Sequence, residues 1–332
     1  MKSTKQSLLK SLSIIRTFSI STFLHILQEF KKLLVYFSMI TFSGLLFAGL
    51  PKLYVVTTSE DLASIARQIG KDKVEVESLT NGSMDLHFVP AQPNFIVKAN
   101  RADVFIEVGL DLEVGWSPRV LQQARNTNIL PGQNGYCVAF QGVDILLPPQ
   151  QEVNRSMGDL HVQGNPHYWP DPLNGIIIAK NIRDTLIRVD RANDKYYQEN
   201  YQKFTRQIKN ILVANLKLLA PHKGEKLISY HQEFDYLVNR YKMSITDNIE
   251  EKPGVLPSPA RIRYMIDYIR KNKIKVVLVS PWSNIAIARQ IANESGAKLL
   301  VLPIQTGASD DTDSYLNMLK VTGKLLAEAL KK

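Results

Sequence analysis

Three histidines in this 332-residue chain stand where a side chain can do chemistry. They are His87 in MDLHFVPAQP, His167 in GNPHYWPDP and His231 in KLISYHQEF. Two lie in loops stiffened by proline, and the third directly follows an apolar run. A neutral imidazole offers one nitrogen lone pair to a metal ion, and a carboxylate commonly completes such a set. Asp313 is the carboxylate in question here, with Asp310 and Asp311 as neighbours able to take its place. Four nitrogen and oxygen ligands at about 2.0–2.2 Å suit zinc. Because imidazole must be neutral to bind, affinity should fall as pH drops through about 6.5.

The bland explanation applies to each residue taken singly. A lone histidine in a loop serves as well as a hydrogen-bonded structural residue, and an acid in the first turn of a helix complements the helix dipole. The four candidates are 80, 64 and 82 residues apart, so only the fold can bring them together. The other histidines have less distinctive settings: His25 lies in an N-terminal export region, and His161 and His222 in loops or helix ends, where a solvated surface role is the default. The single cysteine, Cys137, excludes an intrachain disulfide and a multi-cysteine zinc site.

Short apolar runs alternate with helical periodicity and supply a frame for these residues. LYVV at 53–56 is followed by Thr57 and Glu60, a capping box, and then by Leu62, Ile65, Ala66 and Ile69 on one helical face, stopped by Gly70. With the strand-like VEVESL this makes a βαβ unit and predicts a parallel sheet. VFIEV at 104–108 adds a strand. KLISY (226–230), KVVLV (275–279) and KLLVL (298–302) repeat the style, the later two separated from their neighbours by the helical ARIRYMIDYIRKN and IAIARQIANESG. The fold class is α/β: two lobes, each a mostly parallel sheet flanked by helices. Ile178, Ile182, Leu186 and Val189 place one stiff helix between the lobes, which predicts small lobe motion. The divisions are 1–50, 51–170 for the first lobe, 171–190 for the connecting backbone helix and 191–332 for the second lobe. A final helix starts near Asp313, with Leu316, Leu319, Gly323, Leu326 and Leu330 on one stripe. In open α/β sheets ligands gather at the C-terminal ends of strands, which directs all three histidines to one crevice.

The formal net charge of +10 does not point to nucleic acid. Residues 1–50 hold six Lys/Arg and one acid, half of the excess, and no basic run with interleaved aromatics follows. Residues 33–50, LLVYFSMITFSGLLFAGL, are 18 residues without a charge, preceded by Lys31 and Lys32. A basic flank before an apolar core is the pattern of an export signal, and the length reaches the lower limit of a membrane span. The expectation is a periplasmic location, either soluble after cleavage or tethered by an uncleaved helix. No cysteine follows the run, so lipid anchoring is not expected.

Together these motifs resemble the zinc/manganese-binding receptors of bacterial ABC importers. His87-Phe88-Val89-Pro90 resembles that family's His-x-x-x-Pro-type loop, with one residue fewer before the proline. Asn165-Pro166-His167-Tyr168-Trp169-Pro170-Asp171-Pro172 matches its Asn-Pro-His-x-Trp-x-Asp-Pro string. His231 falls where the family has His or Glu after a strand, and Asp313-Ser314-Tyr315 where it has an Asp before Ser-Tyr. ADVFIEVGLDLEVGW, with Gly109, Glu113 and Trp116, is similar as well, and the likeness runs from about Leu53 to the end. The resemblance implies two lobes bridged by a long helix, a divalent metal in the cleft held by His87, His167, His231 and Asp313, and delivery by a monomer to an ABC permease and its ATPase. Departures are Ser280-Pro281 in place of Glu-Pro, Pro170 in place of Leu or Met, and the lack of a His-rich insert between Trp116 and His167. Three imidazoles favour zinc over manganese, which prefers oxygen ligands. Two other functions remain compatible with the residues. One is a zinc hydrolase using the three histidines, against which stands the absence of HExxH. The other is a siderophore or cobalamin receptor, which would want an aromatic or Arg-lined cleft.

Overall fold

The computed structural model describes residues 22–34, 52–90, 92–147 and 161–331. The chain divides into two compact units, Met1–Pro51 and Lys52–Lys332. In the first, residues 22–34 form a helix, α1. The export segment expected at 33–50 lies outside the described residues but for its first two positions. Among the described residues no helix is long and apolar enough to cross a membrane.

The second unit holds two four-stranded sheets, both wholly parallel. The first lobe has β1 (Leu53–Thr57), β2 (Val74–Ser78), β3 (Val104–Glu107) and β4 (Tyr136–Val138) in the order β2-β1-β3-β4. The second has β5 (Lys226–Ser229), β6 (Ser244–Asn248), β7 (Val276–Val279) and β8 (Lys298–Val301) in the order β6-β5-β7-β8. Central strands of a parallel sheet are covered on both faces, which is why all four residues of β7 are buried. In both lobes the first strand pairs with the next two, so strand order reverses beside β1 and beside β5. That reversal opens a crevice at the strands' C-terminal ends.

Helix α2 (Glu60–Gly70) buries Leu62, Ile65, Ala66 and Ile69 as their spacing requires. Its cap differs from the expected Thr57–Glu60 box. Strand β1 extends through Thr57, which pairs with Ser78 and Ile106. The cap therefore falls to Ser59, whose hydroxyl accepts from the Leu62 N–H at 3.3 Å.

Helices α3 (Pro93–Arg101) and α4 (Ser117–Ala124) complete the first lobe. Next come α5 (Pro172–Val189) and α6 (Asp194–Leu219). Helix α5 is the one expected to connect the lobes; its buried residues pack in a cluster made mostly of first-lobe residues, which also takes in Tyr236, Tyr315, Met318 and Leu319 of the second lobe. The bridge is α6, whose 26 residues reach about 39 Å at 1.5 Å per residue. At one end Asn200 Nδ2 donates to the Ile69 carbonyl at 3.1 Å, and at the other Leu219 enters the second lobe's core. Its buried face reads Tyr197, Asn200, Phe204, Ile208, Ile211, Asn215 and Leu219. Two asparagines interrupt that stripe and hide it from a search for apolar periodicity. Asn215 is satisfied inside by the Leu319 carbonyl at 2.8 Å.

The second lobe adds α7 (Asp235–Arg240), α8 (Pro259–Asn272), α9 (Ile285–Ser295) and α10 (Tyr315–Leu330). Helix α10 starts two residues after Asp313, with Ser314 as its cap, so Asp313 lies outside the helix rather than in its first turn.

Polar and close contacts join the lobes. Asp61 Oδ1 accepts from the Thr306 amide at 2.9 Å and its hydroxyl at 2.8 Å. Gln305 Nε2 donates to the Met84 carbonyl at 3.2 Å. Gly82 meets the Thr306–Ala308 backbone so closely that a Cβ there would lie 2.2 Å from the Thr306 carbonyl oxygen.

Candidate metal centre

The three loops at the crevice are each pinned by a buried aromatic side chain. Trp116 Nε1 donates to the Leu86 carbonyl at 2.9 Å, fixing the loop of His87. Trp169 Nε1 donates to Ile304 in the other lobe at 2.7 Å, and Tyr168 hydroxyl to Val108 at 2.8 Å, fixing the loop of His167. Tyr236 hydroxyl donates to the Asn165 carbonyl at 2.9 Å. Asp171 caps α5 through the Leu173 N–H and takes both arms of Arg240, at 2.7 and 2.6 Å. The paired, planar geometry of Arg with a carboxylate adds orientation as well as attraction.

These anchors bring His87, His167 and His231 together. One ring nitrogen from each lies within 4.8 Å of the others. The ring centroids are 5.1 Å apart for His87 and His167, 5.3 Å for His87 and His231, and 5.2 Å for His167 and His231. His167 is buried, and the other two are partly so.

Each Nδ1 is bound to an oxygen. Asp85 Oδ1 takes both the backbone N–H of His87, at 3.0 Å, and its Nδ1, at 2.7 Å. Asn165 Oδ1 takes the N–H and the Nδ1 of His167, each at 2.9 Å. Glu250, two residues past the end of β6, holds His231 Nδ1 at 2.8 Å. An Nδ1–H committed to oxygen leaves Nε2 as the lone-pair nitrogen, the arrangement found behind metal-bound histidines. The first two orienters follow one pattern, an Asp or Asn two residues before the histidine, which closes a side-chain turn onto the backbone. That D-x-H and N-x-H pattern is visible in the sequence. Glu250 left no such local signal.

The electrostatics suit a cation. Burial first, then the neighbouring His87 and His231, drives His167 well below the usual imidazole range. Burial alone would lower His231 too, but the Glu250 hydrogen bond and the charges of Glu233 and Glu250 raise it. Glu233 is buried, its carboxyl pushed up to about 7 by desolvation against the pull of His231. Its Oε1 has no hydrogen-bond partner among the described residues.

Asp313 is not part of the gathered set. It is exposed, and its Oδ1 accepts from Asn317 Nδ2 at 2.7 Å, a turn further along α10. Asp310 and Asp311 are exposed in the short 3-10 turn before it. His161 is placed otherwise than expected. It is only partly exposed, and its Nε2 lies 3.2 Å from His87 Nε2. Burial, with His87 and His231 nearby, lowers it to about 3.

Comparison with known proteins is consistent with this geometry. The sequence matches the family model described as "Zinc-uptake complex component A periplasmic" over residues 55–329. It is 28% identical to the iron-binding protein YfeA of Yersinia pestis over 285 residues, covering 83% of this chain and 86% of that protein. It is 27% identical to the manganese ABC transporter substrate-binding lipoprotein PsaA of Streptococcus pneumoniae over 296 residues, covering 85% and 90%. The crystal structure of ZnuA superposes with a TM-score of 0.69 at 21% identity, covering 84% of this chain and 99% of that one. The name of PsaA gives no support to the expectation that lipid anchoring is absent, since it is a lipoprotein.

Proposed function

The chain belongs to the zinc-uptake complex component A family, and on that premise we propose that it captures a divalent transition metal, zinc ahead of manganese, in the crevice between its lobes. His87, His167 and His231 are the proposed ligands, each through Nε2. The observation that carries this reading is the shared orientation of the three rings, with every Nδ1 occupied by an oxygen and one nitrogen of each ring within 4.8 Å of the others. Three imidazoles without a convergent carboxylate favour zinc, because manganese sits lowest in the general affinity order and prefers oxygen. Relatives named for iron and for manganese show that the family name alone does not choose the ion. The ion is cargo. The protein delivers it outside the cytoplasmic membrane to an ABC permease driven by its ATPase, a reading supported by the relative PsaA, which is named an ABC transporter substrate-binding lipoprotein.

Competitive titration with a chromophoric chelator tests the site. The parent takes up one zinc ion, and His167→Ala loses most of that affinity. Equal zinc affinity in parent and variant would contradict the assignment.

A further inference from the structure

We propose that His161 is the fourth ligand of the captured ion and sets its preference for zinc. This rests on the reading that His87, His167 and His231 form a metal site. His161 lies at the same crevice, in the wall that also carries Asn165, His167 and His231. Its ring centroid is 5.2 Å from that of His87, the same spacing as within the triad, and 6.2 Å from that of His167.

The His161 ring lies beside the backbone of Asp111. Asp111 and its neighbour Leu110 both adopt positive φ, 62° and 54°. Left-handed backbone is uncommon for residues other than glycine, and here it shapes the turn beside His161. Gln163 Nε2 contacts the Asp111 carboxylate at 3.5 Å, tying the two segments together.

The His87–His161 contact then has a chemical consequence. His87 commits its Nδ1 to Asp85, which leaves its Nε2 with a lone pair, and the Nε2 of His161 lies 3.2 Å from it. At that distance two imidazole nitrogens share either a proton or a cation. Two nitrogens each about 2.05 Å from one tetrahedral zinc ion sit about 3.3 Å apart, close to the spacing observed. With His161 included, the shell is four imidazole nitrogens and no oxygen. Such a shell disfavours manganese, which oxygen ligands suit better.

Zinc and manganese titrations on the purified parent, His161→Ala, His161→Asp and His167→Ala test this. His161→Ala should still bind one zinc ion, roughly tenfold to a hundredfold more weakly. His161→Asp should narrow the zinc-to-manganese affinity ratio by about tenfold or more, since a carboxylate replaces an imidazole. Parent-like zinc affinity and ion ratio in both His161 variants would overturn the proposal. If His167→Ala loses binding in the same series, the three-histidine reading survives that result. A parent that binds no zinc overturns both. His161 stands in a loop at the crevice edge, and thermal melts of the apo forms separate loss of folding from loss of a ligand.

Discussion

At the scale of single residues, the proposed metal centre depends on side chains that would not touch the ion. A ring free to rotate about χ2 presents its lone pair in many directions, and fixing it beforehand removes that cost from binding. Asp85, Asn165 and Glu250 do the fixing, each through Nδ1. Loss of such an orienting group typically weakens metal binding about 10–100-fold. Glu250→Ala is expected to fall in that range for zinc, with Glu250→Gln retaining more because its amide oxygen still accepts. Chelator competition on both variants measures it, and unchanged affinity in Glu250→Ala would show that the contact does not orient His231. Two of the proposed ligands, His87 and His167, are legible because HFVP and NPHYWPDP are distinctive strings around them. DSY reads as a helix start, whereas the preceding 3-10 turn leaves the Asp313 carboxylate outside α10 and on Asn317. His161 carries no such string, and its contact is with His87, 74 residues away, so its sequence setting points only to a solvated surface role.

At the scale of elements, the strands and their flanking helices were readable from apolar runs and caps, and the joins between lobes were not. Helix α6 carries Asn200 and Asn215 on its buried face, so apolar periodicity alone favours the preceding helix as the bridge. Strand β4 has three residues and β6 is mostly polar, so neither stood out. The contact of α2 with the segment after β8 yields a prediction about pH. Asp61, in the first turn of α2, is fully buried, and desolvation raises its carboxyl from 3.8 to about 7 despite two hydrogen bonds from Thr306. Its Oδ2 has no hydrogen-bond partner among the described residues. A carboxyl that holds its proton more tightly when folded contributes stability that is complete below its unfolded pKa. That contribution is lost as pH rises from about 4 through about 7. Asp61→Asn removes the titration while keeping the acceptor for Thr306. Denaturant melts of parent and variant should therefore diverge in favour of the variant as pH rises across that window, whatever their offset at pH 4. Parallel curves would show that Asp61 keeps its charge in the fold.

At the scale of the molecule, two parallel sheets turn the C-terminal ends of their strands toward one crevice, and α6 spans both lobes. The gathered histidines come from a loop of the first lobe, the approach to α5 and the end of β5. An ion held by them ties the lobes together where Asp61–Thr306, Gln305–Met84 and Trp169–Ile304 already join them. Little relative movement is then needed to hold the cargo, and exchange falls to the loops at the crevice. The most direct test is a crystal of the zinc-loaded protein with anomalous data at the zinc edge. The expected result is a single strong anomalous peak within bonding distance of Nε2 of His87, His167 and His231. A peak elsewhere, or coordination that omits any of the three, would contradict the account.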